Sequence, residues 1–184
     1  YTIKLLAIAE RDDRGLAVRV HPALVPADHP LAAVHGAYNA VYVDAEAAGT
    51  LMFYGQGAGG QPTASAVLGD LVSAARAVAG GARWPAESRY AALPILDPAE
   101  VSTRYLIRLD VVDRAGVLAE IARAIAAHDV SLETLRQVAT DDGAASLVLV
   151  THRAPEGALA AAVADLDRLE PVHRITSVLR VEGS

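Results

Sequence analysis

The glycine-rich segment at residues 54–62 has the residue types best suited to binding an anion. It reads YGQGAGGQP and lies between a strand pattern and a helix pattern. Glycines let the backbone approach a ligand closely, and the free N–H groups and dipole at a helix start favour a phosphate. Pro62 in the first helical turn is typical of such a start. Because the spacing is neither GxGxxG nor a P-loop, a tight strand-to-helix turn without a ligand is the alternative.

Histidines are the next residues with the chemistry for acid–base or metal work. His29 lies between Asp28 and Pro30 in a predicted turn, where its imidazole could face a substrate. The alternative is a turn histidine that caps local backbone. The other histidines show no spacing typical of metal ligands and are interpreted as surface or edge residues, so we expect no metal site. They are His21, His35, His128, His152 and His173.

A strand-rich first half must position the glycines and His29. Leu16, Val18 and Val20 alternate with residues that are small or polar, which is typical of a half-buried strand. Four strands are predicted, at 2–10, 15–21, 38–44 and 50–55. A helix follows from near Pro62 to the pair Gly80-Gly81. Apolar residues at helical spacing fall on one of its faces; they are Val67, Leu71, Ala74 and Val78.

The second half has a different pattern, and a stretch without periodicity separates the two. Residues 82–103 contain Pro85, Pro94 and Pro98 and are predicted to be a linker. Strands are then predicted at about 105–111, 130–138, 145–151 and 172–181, with a turn at 141–143. Two helices lie between them. The first has Val117, Leu118, Ile121 and Ile125 on its core face, and the second has Leu159, Ala162, Val163, Leu166 and Leu169.

The resulting order βαββαβ is the ferredoxin-like arrangement, so the fold class is α+β. Its sheet is expected to be antiparallel, with both helices on one face. The other face carries apolar residues such as Leu106 and Val112. Because a half-covered sheet of about 80 residues is poorly stable by itself, a homo-oligomer, dimer or tetramer, is expected.

The composition excludes several classes of function. A net charge of −6 with scattered basic residues argues against a nucleic-acid surface. No run of 18 apolar residues occurs, so no membrane span is expected, and no signal peptide is visible. The absence of cysteine excludes disulfides and thiolate metal sites and fits a reducing cytoplasm. The expected partner is a small molecule or another protein.

Residues 52–71, MFYGQGAGGQPTASAVLGDL, resemble the glycine-rich signature of homoserine dehydrogenases. Companion segments resemble the same family in the same order: YTIKLL at 1–6, HPALVP at 21–26, HPLA at 29–32 and YNAV at 38–41. That family interconverts homoserine and aspartate 4-semialdehyde with NAD(P), in threonine, methionine and isoleucine biosynthesis. The resemblance covers residues 1 to about 80.

The resemblance also implies roles for single residues. It implies that Gly59 contacts the cofactor, together with its neighbours in the loop and the helix start, and that His29 lies near the reaction centre. Those neighbours are Gly57, Ala58, Pro62 and Thr63. An amine such as that of Lys4 could steer or protonate a developing alkoxide. However, the catalytic lysines of the family lie in segments that precede Tyr1, so Lys4 is expected to be a strand residue.

The second half resembles an ACT domain, an effector sensor of amino-acid biosynthesis enzymes. The resemblance rests on the βαββαβ order and on residues 111–121, VVDRAGVLAEI. It implies an amino-acid effector, here threonine. We expect the effector carboxylate at the N–H groups of Gly116, Val117 and Leu118, because a helix start attracts anions, and the ammonium at Asp113. An ACT domain that only dimerises is the alternative.

These interpretations divide the chain into residues 1–81, the end of a catalytic domain; 82–103, a linker; and 104–184, an ACT regulatory domain. A non-catalytic module that binds an amino acid or dimerises is the alternative function. The strand, glycine-rich loop and helix of residues 1–80 favour the dehydrogenase, since a sensor has no use for them. No strand–GxGxxG–helix unit occurs. We therefore expect the chain by itself to be inactive.

Overall fold

The computed structural model describes residues 1–81, 91–139 and 144–183. Within these ranges the chain forms ten strands and three α-helices. In chain order they are β1 (Thr2–Asp12), β2 (Gly15–Val25), β3 (Tyr38–Ala45), β4 (Gly49–Gln56), α1 (Gly60–Ala79), β5 (Ser102–Thr103), β6 (Tyr105–Val112), α2 (Val117–Ala126), β7 (Leu132–Ala139), β8 (Ala144–Thr151), β9 (Ala154–Pro155), α3 (Glu156–Leu166) and β10 (Val172–Val181).

The chain folds into two compact units whose limits differ from the predicted segments. One unit consists of Tyr1–Ala27 and Leu93–Ser184, and the other of Asp28–Ala92. The first two strands therefore belong with the second half of the chain. The assignment of residues 1–81 and 104–184 to two functional domains stays a prediction.

The larger unit contains a six-stranded sheet in the order β1-β2-β10-β6-β8-β7. Its last four strands, with α2 and α3, form the expected ferredoxin-like arrangement, and every pair among them is antiparallel. The β1–β2 hairpin extends this sheet, because β2 runs parallel to β10 and pairs Ala23 with Arg180. The whole sheet is consequently mixed, whereas the sequence predicted only the antiparallel part.

A single apolar core lies between the ferredoxin-like strands and both helices, which therefore pack on the same face of the sheet. Alternate residues of β6 point into it, and Ile107 and Leu109 are almost completely buried. On α2, Val117, Ile121 and Ile125 are buried as their helical spacing predicts. Leu118 is the exception, with 38% of its surface exposed. Its placement on the core face was wrong, since it lies one position round the helix from Val117.

Residues 93–103 are more ordered than the predicted linker. Leu16 donates its N–H to the carbonyl of Pro94 and accepts from the N–H of Leu96, both at 2.9 Å. A 3-10 turn follows at Pro98–Glu100, and β5 then pairs with β9. This part of the predicted linker therefore contains short regular elements, and its role as a connection between two domains stays a prediction. Residues 82–90 and the predicted turn at 141–143 lie outside the described residues.

The smaller unit contains a 3-10 turn (Pro30–Ala33), the β3–β4 hairpin and α1. The two strands and the helix occur where the sequence predicts them, although α1 begins two residues before Pro62. Its apolar face is exposed, with Val67 at 61% and Leu71 at 62%. No helix in the described ranges is long and apolar enough to cross a membrane.

Candidate functional site

The glycine-rich loop connects β4 to α1, as the sequence predicts. Gly59 precedes the helix with φ 132° and ψ 145°, a conformation that L side chains rarely adopt. A Cβ at this position would lie 3.3 Å from Cδ of Pro62. The carbonyl of Gly59 accepts the N–H of Thr63 at 3.1 Å, and this bond closes the first turn of α1. Glycine is therefore required at residue 59 for a backbone reason.

The glycine-rich loop borders an open depression at the start of α1. Gly59, Gly60 and Thr63 line an open depression together with Ala64, Val67 and Leu68 of α1. Of the five predicted cofactor residues, Gly59 and Thr63 line this depression directly. The other three, Gly57, Ala58 and Pro62, belong to the adjoining loop and first helical turn.

Gly57 is crowded by a residue that the sequence reasoning did not single out. A Cβ at Gly57 would lie 2.1 Å from Nδ2 of Asn39. The carbonyl of Ala37 accepts both the Gly57 N–H, at 3.2 Å, and Asn39 Nδ2, at 3.3 Å. The segment YNAV at 38–41 already carried part of the family resemblance, but a local pattern does not show which residue faces the loop.

His29 lies in the same unit as the glycine-rich loop and performs the local capping that the sequence left as an alternative. Its Nδ1 accepts the N–H of Leu31 at 3.2 Å, at the start of the 3-10 turn. Its ring packs against Tyr42, with centroids 4.8 Å apart. Because Nδ1 accepts a hydrogen bond, the proton of the neutral ring is on Nε2. In the described part of the chain Nε2 makes no hydrogen bond, so this nitrogen remains able to meet a ligand.

The predicted effector residues come together around a pocket in the larger unit. Asp113, Gly116, Val117 and Leu118 all line a cavity of about 260 Å³. Gly116 has φ 96° and ψ −20°, which is the left-handed conformation that favours glycine before a helix. Gly116 is thus required for the turn that exposes the start of α2.

Two of the three expected N–H donors can meet a ligand. The N–H of Val117 lies 3.4 Å from the carbonyl of Arg114 and is partly engaged. Those of Gly116 and Leu118 have no acceptor among the described residues. The start of α2 therefore offers two open donors to an anion.

The polar wall of the pocket includes Gln137 on β7, which the sequence reasoning missed. Its Nε2 donates to Oδ1 of Asp113 at 3.1 Å. Apolar residues that line the pocket include Val111, Leu118 and Leu147. Arg114 also lines it, and its guanidinium pairs with Glu170, at 3.1 Å, and with Glu120, at 3.4 Å. Carboxylate and amide oxygens beside an open helix start and apolar side chains suit a small zwitterion.

No group of three or more His, Asp or Glu suited to a metal ion occurs in residues 1–81, 91–139 or 144–183. His128 is instead paired with Asp165 at 2.7 Å. His21 is buried near Glu182. The buried position of His21, on a strand between β1 and β10, contradicts its interpretation as a surface or edge residue.

Comparison with known proteins matches two families. Residues 1–72 match the family model of homoserine dehydrogenase, and residues 105–171 match that of the ACT domain. Homoserine dehydrogenases of Mycobacterium tuberculosis (strain H37Rv) and Corynebacterium glutamicum are each 52% identical to the chain, over 193 and 187 residues. The matches cover 100% and 99% of this chain but 44% and 42% of those proteins. The chain thus spans less than half the length of these relatives.

Solved structures of homoserine dehydrogenases also superpose on the chain. A homoserine dehydrogenase from Thiobacillus denitrificans superposes with a TM-score of 0.89 at 39% identity, over 100% of this chain and 43% of that one. The homoserine dehydrogenase of S. aureus at pH 6.0 superposes with a TM-score of 0.63 at 26% identity, over 100% and 42%. The similarity therefore extends through both halves of the chain.

Proposed function

The chain belongs to the homoserine dehydrogenase family, and on this premise we propose that it is the C-terminal portion of an enzyme that interconverts L-homoserine and L-aspartate 4-semialdehyde with NAD(P). The conformation of Gly59 carries this proposal within the structure. It lies in the segment that matches the family, and its positive φ exposes backbone before a 20-residue helix. The enzyme would serve threonine, methionine and isoleucine biosynthesis in the cytoplasm, a location that suits a chain without cysteine.

The loop residues fit a nicotinamide cofactor. Side chains are absent or small at Gly57, Ala58 and Gly59, so the backbone can lie against a planar or phosphate group. Pro62 and Thr63 form the first turn of α1, whose dipole favours a negative charge. The cofactor would accept or supply the hydride, and these five residues would bind and orient it.

His29 is proposed to lie near the reacting groups. The bond from Leu31 holds Nδ1, and packing against Tyr42 restricts the ring, so Nε2 is oriented without help from the substrate. A neutral imidazole with a fixed N–H can donate a hydrogen bond to a substrate oxygen.

The ACT portion is proposed to bind threonine as a feedback effector. The threonine carboxylate would accept from the N–H groups of Gly116 and Leu118, and its ammonium would face Asp113. Gln137 would hold the Asp113 carboxylate in place through the 3.1 Å hydrogen bond. The second candidate, a module that dimerises without an effector, is favoured by this same bond, because it satisfies Asp113 without a ligand.

We also propose that the enzyme is a homo-oligomer, a dimer or tetramer. The outer face of the β1–β2 hairpin consists of apolar pairs, Leu5 with Pro22, Ala7 with Val20, and Ala9 with Val18. Leu5 is 73% exposed and Val20 is 70% exposed. A contiguous apolar patch of this kind is typical of an interface.

The assay of homoserine-dependent NAD(P)⁺ reduction by the enzyme that contains these residues tests the central proposal. Gly59→Ala should raise the cofactor Kd, and it should also lower the melting temperature, because φ 132° strains any L side chain. Gly69→Ala is the matched control, because a Cβ at Gly69 in α1 meets nothing within 4 Å. An enzyme without homoserine-dependent turnover would refute the activity. A Gly59→Ala enzyme with an unchanged cofactor Kd would refute the site.

A further inference from the structure

The side chain of Asn39 lies against the backbone of Gly57. Asn39 is near the start of β3, opposite Gly55 of β4, and Gly57 follows the end of that strand. A Cβ at Gly57 would come within 2.1 Å of Asn39 Nδ2 and 2.9 Å of its Cγ. Any residue other than glycine would have to displace this amide. Glycine at 57 thus leaves room for the Asn39 amide, whereas Gly59 is required by its own φ.

A shared acceptor holds the two residues together. The carbonyl of Ala37 receives the backbone N–H of Gly57 at 3.2 Å and the side-chain amide of Asn39 at 3.3 Å. One end of the glycine-rich loop is thus tied to the chain that enters β3. The other end is held by the bond from Thr63 to Gly59.

The base of the hairpin beneath this contact is itself ordered. The rings of Tyr38 and Tyr54 stack with centroids 4.9 Å apart and planes 8° apart. Gln56 Nε2 donates to the hydroxyl of Tyr38 at 3.4 Å. Asn39 accordingly extends from a well-defined frame over the loop, and its own side chain is exposed and adds nothing to a core.

The loop at residues 57–59 contains two glycines and loses conformational entropy when a ligand orders it, and a contact that orders it beforehand strengthens binding. We propose that Asn39 is a positioning residue that holds Gly57, so that the loop at residues 57–59 presents its backbone to the nicotinamide cofactor. The proposal depends on the cofactor site proposed above. Asn39 acts through the loop and does not touch the reacting atoms.

Asn39→Ala in the enzyme that contains this chain should raise the Kd and KM of the cofactor roughly three- to tenfold, the loss expected when one ordering contact is removed. The kcat at saturating cofactor and the KM of homoserine should stay within about twofold. Asn39→Asp keeps the shape but removes the donor to Ala37, so it should show the same split. Thr50→Ala, at the far end of β4, is the control and should change neither KM.

Gly57→Ala combined with Asn39→Ala tests the contact itself. Gly57→Ala alone should weaken cofactor binding more than Asn39→Ala, because the new methyl group meets the amide. Adding Asn39→Ala should recover part of the loss, since the methyl group then has space. Strictly additive losses in the double variant would show that the two residues are not in contact and would overturn the proposal.

The remaining outcomes separate this proposal from the cofactor site. If Gly59→Ala weakens cofactor binding and Asn39→Ala does not, Asn39 has no positioning role. If both KM values rise together and the melting temperature falls, Asn39 is merely structural, which also overturns the proposal. If neither variant changes cofactor binding, the proposed site itself fails.

Discussion

Gln137 donates a hydrogen bond of 3.1 Å to the carboxylate of Asp113, although β8 lies between the strands that lead to them. The bond connects the end of β6 to the edge strand β7 across the mouth of the proposed effector pocket. It orients the carboxylate that we expect to receive an amino-acid ammonium. Two residues 24 positions apart in the chain therefore line one proposed site.

Gln137→Ala is expected to weaken threonine binding several-fold, because Asp113 would lose the partner that orients it. Gly116→Val should abolish binding, since a branched side chain does not tolerate φ 96°. Arg136→Ala on the opposite face of β7 is the control. Calorimetry on the whole chain would compare threonine with isoleucine, methionine and serine. No heat from any of the four at millimolar concentration would leave the ACT portion as a dimerisation element.

His29→Asn should separate capping from chemistry. Asparagine can still accept the N–H of Leu31, so the melting temperature should hold. Loss of the imidazole should lower kcat by at least about tenfold if Nε2 faces the substrate. His29→Ala removes both functions and should in addition cost about 1 kcal/mol of stability. Full activity of His29→Asn would show that the residue is only a cap.

The pair His128–Asp165 should make stability depend on acid pH. The hydrogen bond from His128 lowers the pKa of Asp165 below its ordinary value of 3.8, and Arg168 acts in the same direction. A carboxyl group whose pKa is lowered on folding stabilises the fold at pH values above its ordinary pKa of 3.8. This stabilisation is lost as the pH falls through the lower pKa of the folded state. Asp165→Asn should therefore melt lower than the native chain at pH 7, with the gap closing as the pH falls below 3.8. Asp167→Asn is the control, and a gap independent of pH would contradict the assignment.

Val20→Lys should disrupt the proposed oligomer, because it places a charge in the apolar outer face of the β1–β2 hairpin. Sedimentation velocity at micromolar concentration should show the native chain as a dimer or larger and the variant shifted toward monomer. Thr50→Lys, an exposed position on β4, should not shift the distribution. A native chain that sediments as a monomer would contradict this interface.

Ile121→Ala and Leu118→Ala should differ strongly although both residues lie on α2. Ile121 is fully buried, so truncation should cost about 2–5 kcal/mol in free energy of unfolding. Leu118 is 38% exposed and lines the pocket, so its truncation should cost under about 1 kcal/mol. Urea unfolding followed by circular dichroism measures both. Equal losses in the free energy of unfolding would show that Leu118 belongs to the core.

The positions of the three helices and of the longer strands were determined by the sequence alone. Alternation in Tyr105–Val112 and helical spacing in α2 and α3 depend only on which residues must leave water, and this is a local property of strands and helices. The same holds for the glycine-rich loop and for Gly116, since a strand that passes into a helix requires particular backbone angles. The residues of both candidate sites were thus named from the sequence, and their binding roles stay predictions.

Tertiary structure decided which elements meet. The pairing of β2 with β10 joins Ala23 to Arg180, and a strand pattern shows which face is buried without showing which strand is the neighbour. The contact of Asn39 with Gly57 likewise depends on the register of β3 and β4. Partners such as Gln137 for Asp113 come from strands separated by another strand. Long-range pairing is selected by the packing of the whole sheet, and no local pattern contains that information.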